Sequence, residues 1–164
     1  MILIGIGSNL AAPPAKTPRE TAENTLRALS APHLQPVECS PWYESAPMPA
    51  SDQPWFVNAV ALIATELEPV KLLELMLGVE ARFGRVRGER NAARTLDLDL
   101  LDYDGLIIDT PHLILPHPRL HERRFVLEPL CEIAPGWRHP VLGSRASELL
   151  AALPHGQQMR RLED

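Results

Sequence analysis

A chain of 164 residues, 45% of them hydrophobic, is long enough to bury a core of its own without disulfides or a structural metal. We therefore expect one domain over residues 1–164. The net charge of −5 argues against general binding to nucleic acid or to an anionic membrane, because the basic residues are concentrated in one segment.

Cysteine spacing and hydropathy indicate the cellular compartment that we expect for the chain. Cys39 and Cys131 show no Cys-x-x-Cys spacing, which favours reduced, small, buried apolar residues in a reducing compartment. The apolar run at residues 2–6 has no basic flank and no cleavage site, and no stretch approaches the ~20 apolar residues of a membrane span. We expect a cytoplasmic monomer that takes small-molecule substrates.

In chain order, the pattern alternates between strand and helix signals. Gly7-Ser8-Asn9 is typical of a turn after the first strand, Thr17 and Pro18 of a helix start, and Gly84 of a helix end. Asp104-Gly105 is a strong hairpin signal. The predicted strands are residues 2–7, 37–44, 55–65, 96–103 and 106–108, and the predicted helices are residues 17–29, 69–83, 123–133 and 144–153.

The order of these elements is βαββαβ followed by a carboxy-terminal helical and hairpin elaboration. This order matches the α+β, ferredoxin-like plan, in which two helices cover one face of an antiparallel sheet. The plan predicts that the other face of the sheet is available to ligands.

The segment from Arg94 to Leu101 places two acids at i and i+2 within a run of leucines. Because successive strand residues point to opposite faces, the leucines can enter a core while Asp97 and Asp99 stand together on the other face. Two like charges this close need a cation, and hard carboxylate oxygens favour Mg²⁺. The alternative is that both acids lie on a solvated strand face.

Arginines in the preceding segment favour the metal interpretation over the solvated face. They are Arg82, Arg85, Arg87, Arg90 and Arg94. Guanidinium groups form bidentate hydrogen bonds with phosphate oxygens. A cationic loop that leads into an acidic metal pair predicts a polyphosphate site and phosphoryl chemistry.

Seven motifs in order give the chain a family resemblance over nearly its whole length. They are Gly5-Ile6-Gly7-Ser8-Asn9-Leu10, residues 40–48, Asp52-Gln53-Pro54-Trp55-Phe56-Val57-Asn58-Ala59, Phe83-Gly84-Arg85-Val86-Arg87, residues 94–101, Pro116-His117-Pro118-Arg119 and Arg123-Arg124-Phe125-Val126-Leu127-Glu128-Pro129-Leu130. The chain resembles the 6-hydroxymethyl-7,8-dihydropterin pyrophosphokinases of folate biosynthesis. The resemblance implies a ferredoxin-like enzyme that transfers a pyrophosphoryl group from ATP to the pterin hydroxymethyl oxygen and releases AMP.

The resemblance also implies roles on the nucleotide side. Asp97 and Asp99 would hold two Mg²⁺ ions against the ATP phosphates, and Arg85 and Arg94 would serve catalysis. The residues expected to contact ATP are Arg85, Arg87, Arg90, Arg94, His112, His117 and Arg123. A zinc site built from His112, His117 and His121 is disfavoured, because intervening prolines break any helix that would align them.

On the pterin side, the family positions imply stacking and edge recognition. Phe56 and Phe125 would stack on the ring, and Asn58 would pair with its donor and acceptor edge. Backbone groups near Ser45, Ala46 and Met48 would supply the remaining hydrogen bonds. The alternative for each phenylalanine is an ordinary core residue.

The chain departs from the family where Trp-Gly-Pro often precedes the arginine of the acidic motif, because it has Asn91-Ala92-Ala93 there. The aromatic that would seal the pterin pocket is therefore missing. Two other classes compete with the active enzyme: an inactive relative, and a ferredoxin-like module that holds RNA or a nucleotide on an open sheet face. Magnesium-dependent release of AMP would separate the enzyme from both.

Overall fold

The computed structural model describes residues 1–30, 33–85 and 92–163. Its strands are β1 (Ile2–Ser8), β2 (Leu34–Cys39), β3 (Tyr43–Ser45), β4 (Phe56–Thr65), β5 (Asp97–Tyr103), β6 (Ile108–Asp109), β7 (Ile114–Leu115) and β8 (Met159–Arg161). Its helices are α1 (Pro18–Leu29), α2 (Pro69–Arg82), α3 (Arg124–Ile133) and α4 (Ala146–Ala152), with a 3-10 turn at Leu120–Glu122.

The main sheet is antiparallel and runs in the order β5-β1-β4-β3-β8, with β2 also paired to β4. Strand β1 lies between β4 and β5, so the first strand of the chain is central. This is the order expected of the ferredoxin-like plan, and the α+β prediction is confirmed.

Helix starts and stops follow the local sequence. Thr17 caps α1, its hydroxyl accepting from the backbone N–H of Glu20 at 3.1 Å, and Pro18 takes the first helical position. Helix α2 ends where the Gly84 N–H donates to the Ala81 carbonyl, with Gly84 at φ +76°.

Two cores lie on opposite faces of the sheet. Helices α1 and α2 cover one face over Ile4, Ala61 and Leu100, and helices α3 and α4 pack on the other over Leu3 and Val60. The prediction that the second face stays open is therefore wrong for one end of the sheet. The end of the sheet that carries Asp97 and Asp99 of β5 remains open to solvent.

One predicted strand and one predicted strand pairing are wrong. Residues 37–44 do not form one strand, because the chain breaks between β2 and β3 around Pro41. The turn at Asp104-Gly105 forms, with φ +51° and +70°, but β6 pairs with β7 and not with β5. The Leu101 carbonyl on β5 accepts instead from the His117 N–H at 2.8 Å.

None of the helices in the described ranges is both long and apolar enough to cross a membrane.

Candidate active site

An open cleft lies on the uncovered end of the sheet, with about 750 Å³ of non-protein space that includes open solvent. Its lining contains ten residues that the sequence nominated: Ser45, Ala46, Met48, Phe56, Asn58, Arg94, Asp97, Asp99, Arg123 and Phe125. The fold thus brings the proposed pterin residues and the acidic pair into one cavity.

Two glycines of β1 form the floor between these groups. Gly7 pairs with Asn58 on one side and Asp97 on the other, and Gly5 pairs with Asp99. A Cβ at Gly7 would lie 3.3 Å from Asn58 Oδ1 and 3.8 Å from Asp97 Cβ. Glycine at these two positions therefore keeps the floor of the cleft open.

The floor was missed by sequence reasoning, which included Gly7 in the strand at residues 2–7 but treated it, with Ser8 and Asn9, as the start of a turn. Gly7 and Ser8 in fact lie within β1. The available signal was the alternation of glycine with isoleucine at Gly5-Ile6-Gly7, which marks one strand face as free of side chains.

The two acids of β5 share one face, as the alternation predicts. Leu98 and Leu100 are 5% and 4% exposed and enter the core beneath α1 and α2, while Asp97 and Asp99 line the cleft. Their side chains are 28% and 30% exposed, so both carboxylates can reach a ligand.

Arginines neutralise the two carboxylates. Asp97 accepts from Arg85 at 2.7 Å and lies 3.2 Å from a terminal nitrogen of Arg94. Asp99 accepts from Arg123 at 3.0 Å. Guanidinium groups thus supply the positive charge that two neighbouring acids require.

His117 lies at the edge of this cluster. Its Nε2 is 3.8 Å from Asp99 Oδ2, and its Nδ1 accepts from the backbone N–H of Arg119 at 3.2 Å. Burial lowers the pKa of His117 and Arg123 lowers it further, whereas Asp99 raises it. The net direction favours the neutral imidazole.

Glu80 is a functional candidate that sequence reasoning missed. It is 3% exposed, accepts from the Leu98 backbone N–H at 2.7 Å and also accepts from Arg85. Burial raises the pKa of Glu80, while the bonds from Leu98 and Arg85 lower it. The available signal was the spacing Leu72, Met76, Glu80, which puts an acid on the buried face of α2.

Across the glycine floor from Asp97, Asn58 is oriented by its neighbours. Its Nδ2 donates to Ser45 Oγ at 2.8 Å and to the Phe56 carbonyl at 3.2 Å, and the residue is 5% exposed. The Ala46 N–H donates to the Gln158 carbonyl at 3.1 Å, so it is already engaged within the protein. The carbonyl of Ala46 is the better candidate for contact with a ligand.

Phe125 lies beneath the Arg123 guanidinium, which stands 5.5 Å from the centre of its ring. The ring also packs against the core beneath α3, so it is partly a core residue and partly a wall of the cleft.

Three of the residues predicted to contact ATP are not seen in the described part of the cleft. His112 is exposed between β6 and β7 and is not among the described residues that line the cleft. Arg87 and Arg90 lie outside the described residues.

The carboxylates of the cleft limit which metal ion the site could hold. Within residues 1–30, 33–85 and 92–163, no three His, Cys, Asp or Glu side chains gather as a metal site. Two adjacent carboxylates facing a cleft fit Mg²⁺, which usually takes one or two carboxylates and completes its shell with water and phosphate oxygens.

The chain is similar in sequence to known pterin pyrophosphokinases. Residues 3–135 match the family model described as 7,8-dihydro-6-hydroxymethylpterin-pyrophosphokinase (HPPK). A 2-amino-4-hydroxy-6-hydroxymethyldihydropteridine pyrophosphokinase of Pseudomonas aeruginosa is 42% identical over 154 residues, covering 93% of this chain and 91% of the relative. One from Haemophilus influenzae is 47% identical over 134 residues, covering 80% of this chain and 79% of the relative.

Among solved structures, a triple mutant of Plasmodium falciparum HPPK-DHPS aligns with a TM-score of 0.66 at 13% identity. The alignment covers 92% of this chain and 42% of that larger chain, and at this identity it bears on the fold alone. The sequence matches carry the assignment: the chain belongs to the HPPK family and is a pyrophosphokinase of folate biosynthesis.

Proposed function

We propose that this pyrophosphokinase moves the β,γ-pyrophosphoryl group of ATP to the hydroxymethyl oxygen of 6-hydroxymethyl-7,8-dihydropterin, with Mg²⁺ bound at Asp97 and Asp99. The oxygen attacks the β-phosphorus, its proton is lost as the new O–P bond forms, and AMP leaves with the electrons of the broken bond to the β-phosphorus. The products are AMP and the pterin diphosphate.

The observation that carries the proposal is the shared glycine floor. Gly7 of β1 lies between Asn58 on the neighbouring strand β4 and Asp97 on the neighbouring strand β5. A pterin edge at Asn58 and a phosphate at Asp97 would therefore be neighbours. Bringing two reactants together in a fixed geometry is itself a large part of catalysis in phosphoryl transfer.

The chain's own residues would handle the phosphate charge. When ATP arrives, Arg85, Arg94 and Arg123 can exchange a carboxylate for phosphate oxygens without leaving the cleft. Two Mg²⁺ ions at Asp97 and Asp99 would offset the remaining charge and bring the phosphate oxygens together. In the free protein the arginines and the aspartates neutralise each other. In the complex, phosphate oxygens would take the place of the aspartates at the arginines, and Mg²⁺ would take the place of the arginines at the aspartates.

Further roles are proposed for the remaining residues. Arg87, Arg90, His112 and His117 would contact ATP, and Ser45, Ala46, Met48, Phe56, Asn58 and Phe125 would hold the pterin. Phe56 and Phe125 would stack on the ring. Because Asn91-Ala92-Ala93 lacks the sealing tryptophan, affinity for the pterin would depend more on these two rings.

The experiment is an assay for AMP formation from ATP, Mg²⁺ and 6-hydroxymethyl-7,8-dihydropterin, with controls lacking pterin and containing EDTA. AMP that requires both pterin and Mg²⁺ supports the proposal. ADP in place of AMP would mean attack at the γ-phosphorus, and ATP binding without turnover would favour the inactive relative.

A further inference from the structure

Strand β8 lies beyond residue 135, where the family match ends. It forms the edge of the sheet next to β3, the strand that carries Ser45. It pairs antiparallel with β3, with Ser45 opposite Met159 and Glu44 opposite Arg160. The Ala46 N–H donates to the Gln158 carbonyl at 3.1 Å, which continues this pairing beyond β3. Strand β8 therefore holds the backbone that supplies Ser45 and Ala46 to the cleft.

Arg160 links two segments on the back of this wall. Its Nε donates to Glu44 Oε2 at 2.8 Å, and its guanidinium lies 5.6 Å from the centre of the Trp55 ring. Glu44 directly precedes Ser45, and Trp55 directly precedes Phe56. One arginine thus contacts the residue before each of two cleft residues.

Ser45 and Phe56 are opposite each other in the pairing of β3 with β4. Because neighbouring residues of a strand point to opposite faces, Glu44 lies on the far side of the sheet from Ser45. Arg160 therefore has no part in the lining of the cleft and can act only by holding the backbone beneath it.

We propose that Arg160 is a positioning residue for the pterin half of the site, fixing Ser45 and Phe56 through Glu44 and Trp55. The inference rests on the proposed function, in which these two cleft residues hold the pterin. The nucleotide half has a separate support in Glu80, which accepts from Arg85 on the far side of the sheet's first strand, so ATP binding should depend much less on Arg160 than pterin binding does.

The expected effect is selective but modest, because the Arg160 side chain is 70% exposed. Exposed ion pairs and cation–π contacts are individually weak, so Arg160→Ala should raise the pterin KM about threefold to tenfold. The ATP KM and kcat should stay within about twofold, a split that general destabilisation would not produce.

The experiment compares steady-state constants for both substrates in the full chain and in four variants: Arg160→Ala, Arg160→Lys, Glu44→Ala and the double variant Glu44→Ala with Arg160→Ala. Arg138→Ala is the matched control, since Arg138 is an exposed arginine bonded to the Gly143 carbonyl in a distant turn. Arg160→Lys keeps the charge and should recover part of the pterin affinity. The two alanine changes should be less than additive, because they remove the same contact.

Three results would overturn the inference. Arg160→Ala with the wild-type pterin KM would do so while leaving the proposed function intact, and so would equal rises in the KM for pterin and ATP. Absence of pterin-dependent AMP from the wild-type chain would instead overturn the proposed function, and this inference with it.

Discussion

Asn9 and Arg94 hold each other through reciprocal hydrogen bonds. The Arg94 backbone N–H donates to Asn9 Oδ1 at 2.8 Å, and the Asn9 backbone N–H donates to the Arg94 carbonyl at 3.2 Å. The Asn9 Nδ2 also donates to Gln53 Oε1 at 3.1 Å and to the Pro54 carbonyl at 3.2 Å. One buried amide therefore ties Arg94, proposed to bind the nucleotide, to the loop that leads into Phe56, proposed to bind the pterin.

Asn9→Ala should impair both halves of the site together. Asn9 is 1% exposed, and leaving its buried partners unsatisfied costs about 1–3 kcal/mol each. We expect a lower kcat and a higher KM for both ATP and pterin. Asn24→Ala, which removes an amide bonded to Arg27 on the surface of α1, is the control and should leave all three constants unchanged.

Asp97→Asn and Asp99→Asn should abolish most turnover without unfolding the protein. Each change keeps the side-chain shape but removes the charge that pairs with the arginines and would bind the proposed Mg²⁺. We expect kcat to fall by about 100-fold to 1,000-fold or more, the scale of losing a preorganised electrostatic contact. Asp109→Asn, at an exposed position on β6, is the control. Near-normal activity in both variants would remove the metal assignment.

Glu80→Gln and Glu80→Ala should separate two roles of one buried acid. Glutamine can still accept from the Leu98 N–H but no longer carries the charge that holds Arg85, so we expect a folded variant with reduced kcat. Alanine leaves the Leu98 N–H without its acceptor and Arg85 with Asp97 alone, and a buried donor left unsatisfied costs about 1–3 kcal/mol. Urea unfolding curves and kcat measured on both variants would show the difference. Equal activity of wild type and Glu80→Gln would mean that the charge of Glu80 does not position Arg85.

Phe125→Ala should raise the pterin KM more than the ATP KM. The ring lines the cleft, and aromatic stacking contributes about 0.5–1.5 kcal/mol beyond the area it buries. Because Phe125 also packs in the core beneath α3, the melting temperature should fall as well. Phe125→Tyr keeps the ring and is the comparison. A larger change in the ATP KM would show that the stacking assignment is wrong.

The pH dependence of stability should report on a buried histidine remote from the cleft. His139 is 4% exposed, its Nδ1 accepts from the N–H groups of Val141 and Leu142 at 3.2 Å each, and its ring lies 5.6 Å from that of His121. Burial lowers the pKa of His139, the neighbouring His121 lowers it further, and Asp102 raises it. Its protonation would break both backbone bonds.

Because the folded pKa of His139 is the lower one, the unfolded chain takes up the proton first as pH falls. The free energy of unfolding should therefore decrease as pH drops through about 6.5, the ordinary histidine value, until the folded protein is protonated as well. His139→Asn retains an acceptor oxygen and should flatten this part of the curve. An unchanged pH profile in His139→Asn would exclude His139 as its source.

Local patterns were sufficient for the acid pair and for most helix bounds. Leucine and aspartate alternate within β5 itself, so neither the burial of Leu98 nor the placement of Asp97 in the cleft depends on distant residues. Thr17 and Gly84 act on the backbone next to them, and α1 and α2 begin and end accordingly.

Features that depend on distant partners were not predictable in the same way. The turn at Asp104-Gly105 is local and correct, but which strand pairs next is decided by competition for the edge of β5, where His117 reaches the Leu101 carbonyl. Strand β8 has three residues and no periodic pattern, so its pairing with β3 cannot be inferred from the strand alone. The buried Glu80 is likewise explained only once β5 lies against α2.

The most direct test of the account is the fate of two labels in one reaction. ATP carrying ³²P at the β-position and, in a parallel reaction, at the γ-position would be incubated with Mg²⁺ and 6-hydroxymethyl-7,8-dihydropterin, and the pterin product isolated. The account predicts that both labels reach the pterin in equal amounts, with one AMP formed per product. Transfer of the γ-label alone, with ADP as the second product, would contradict it.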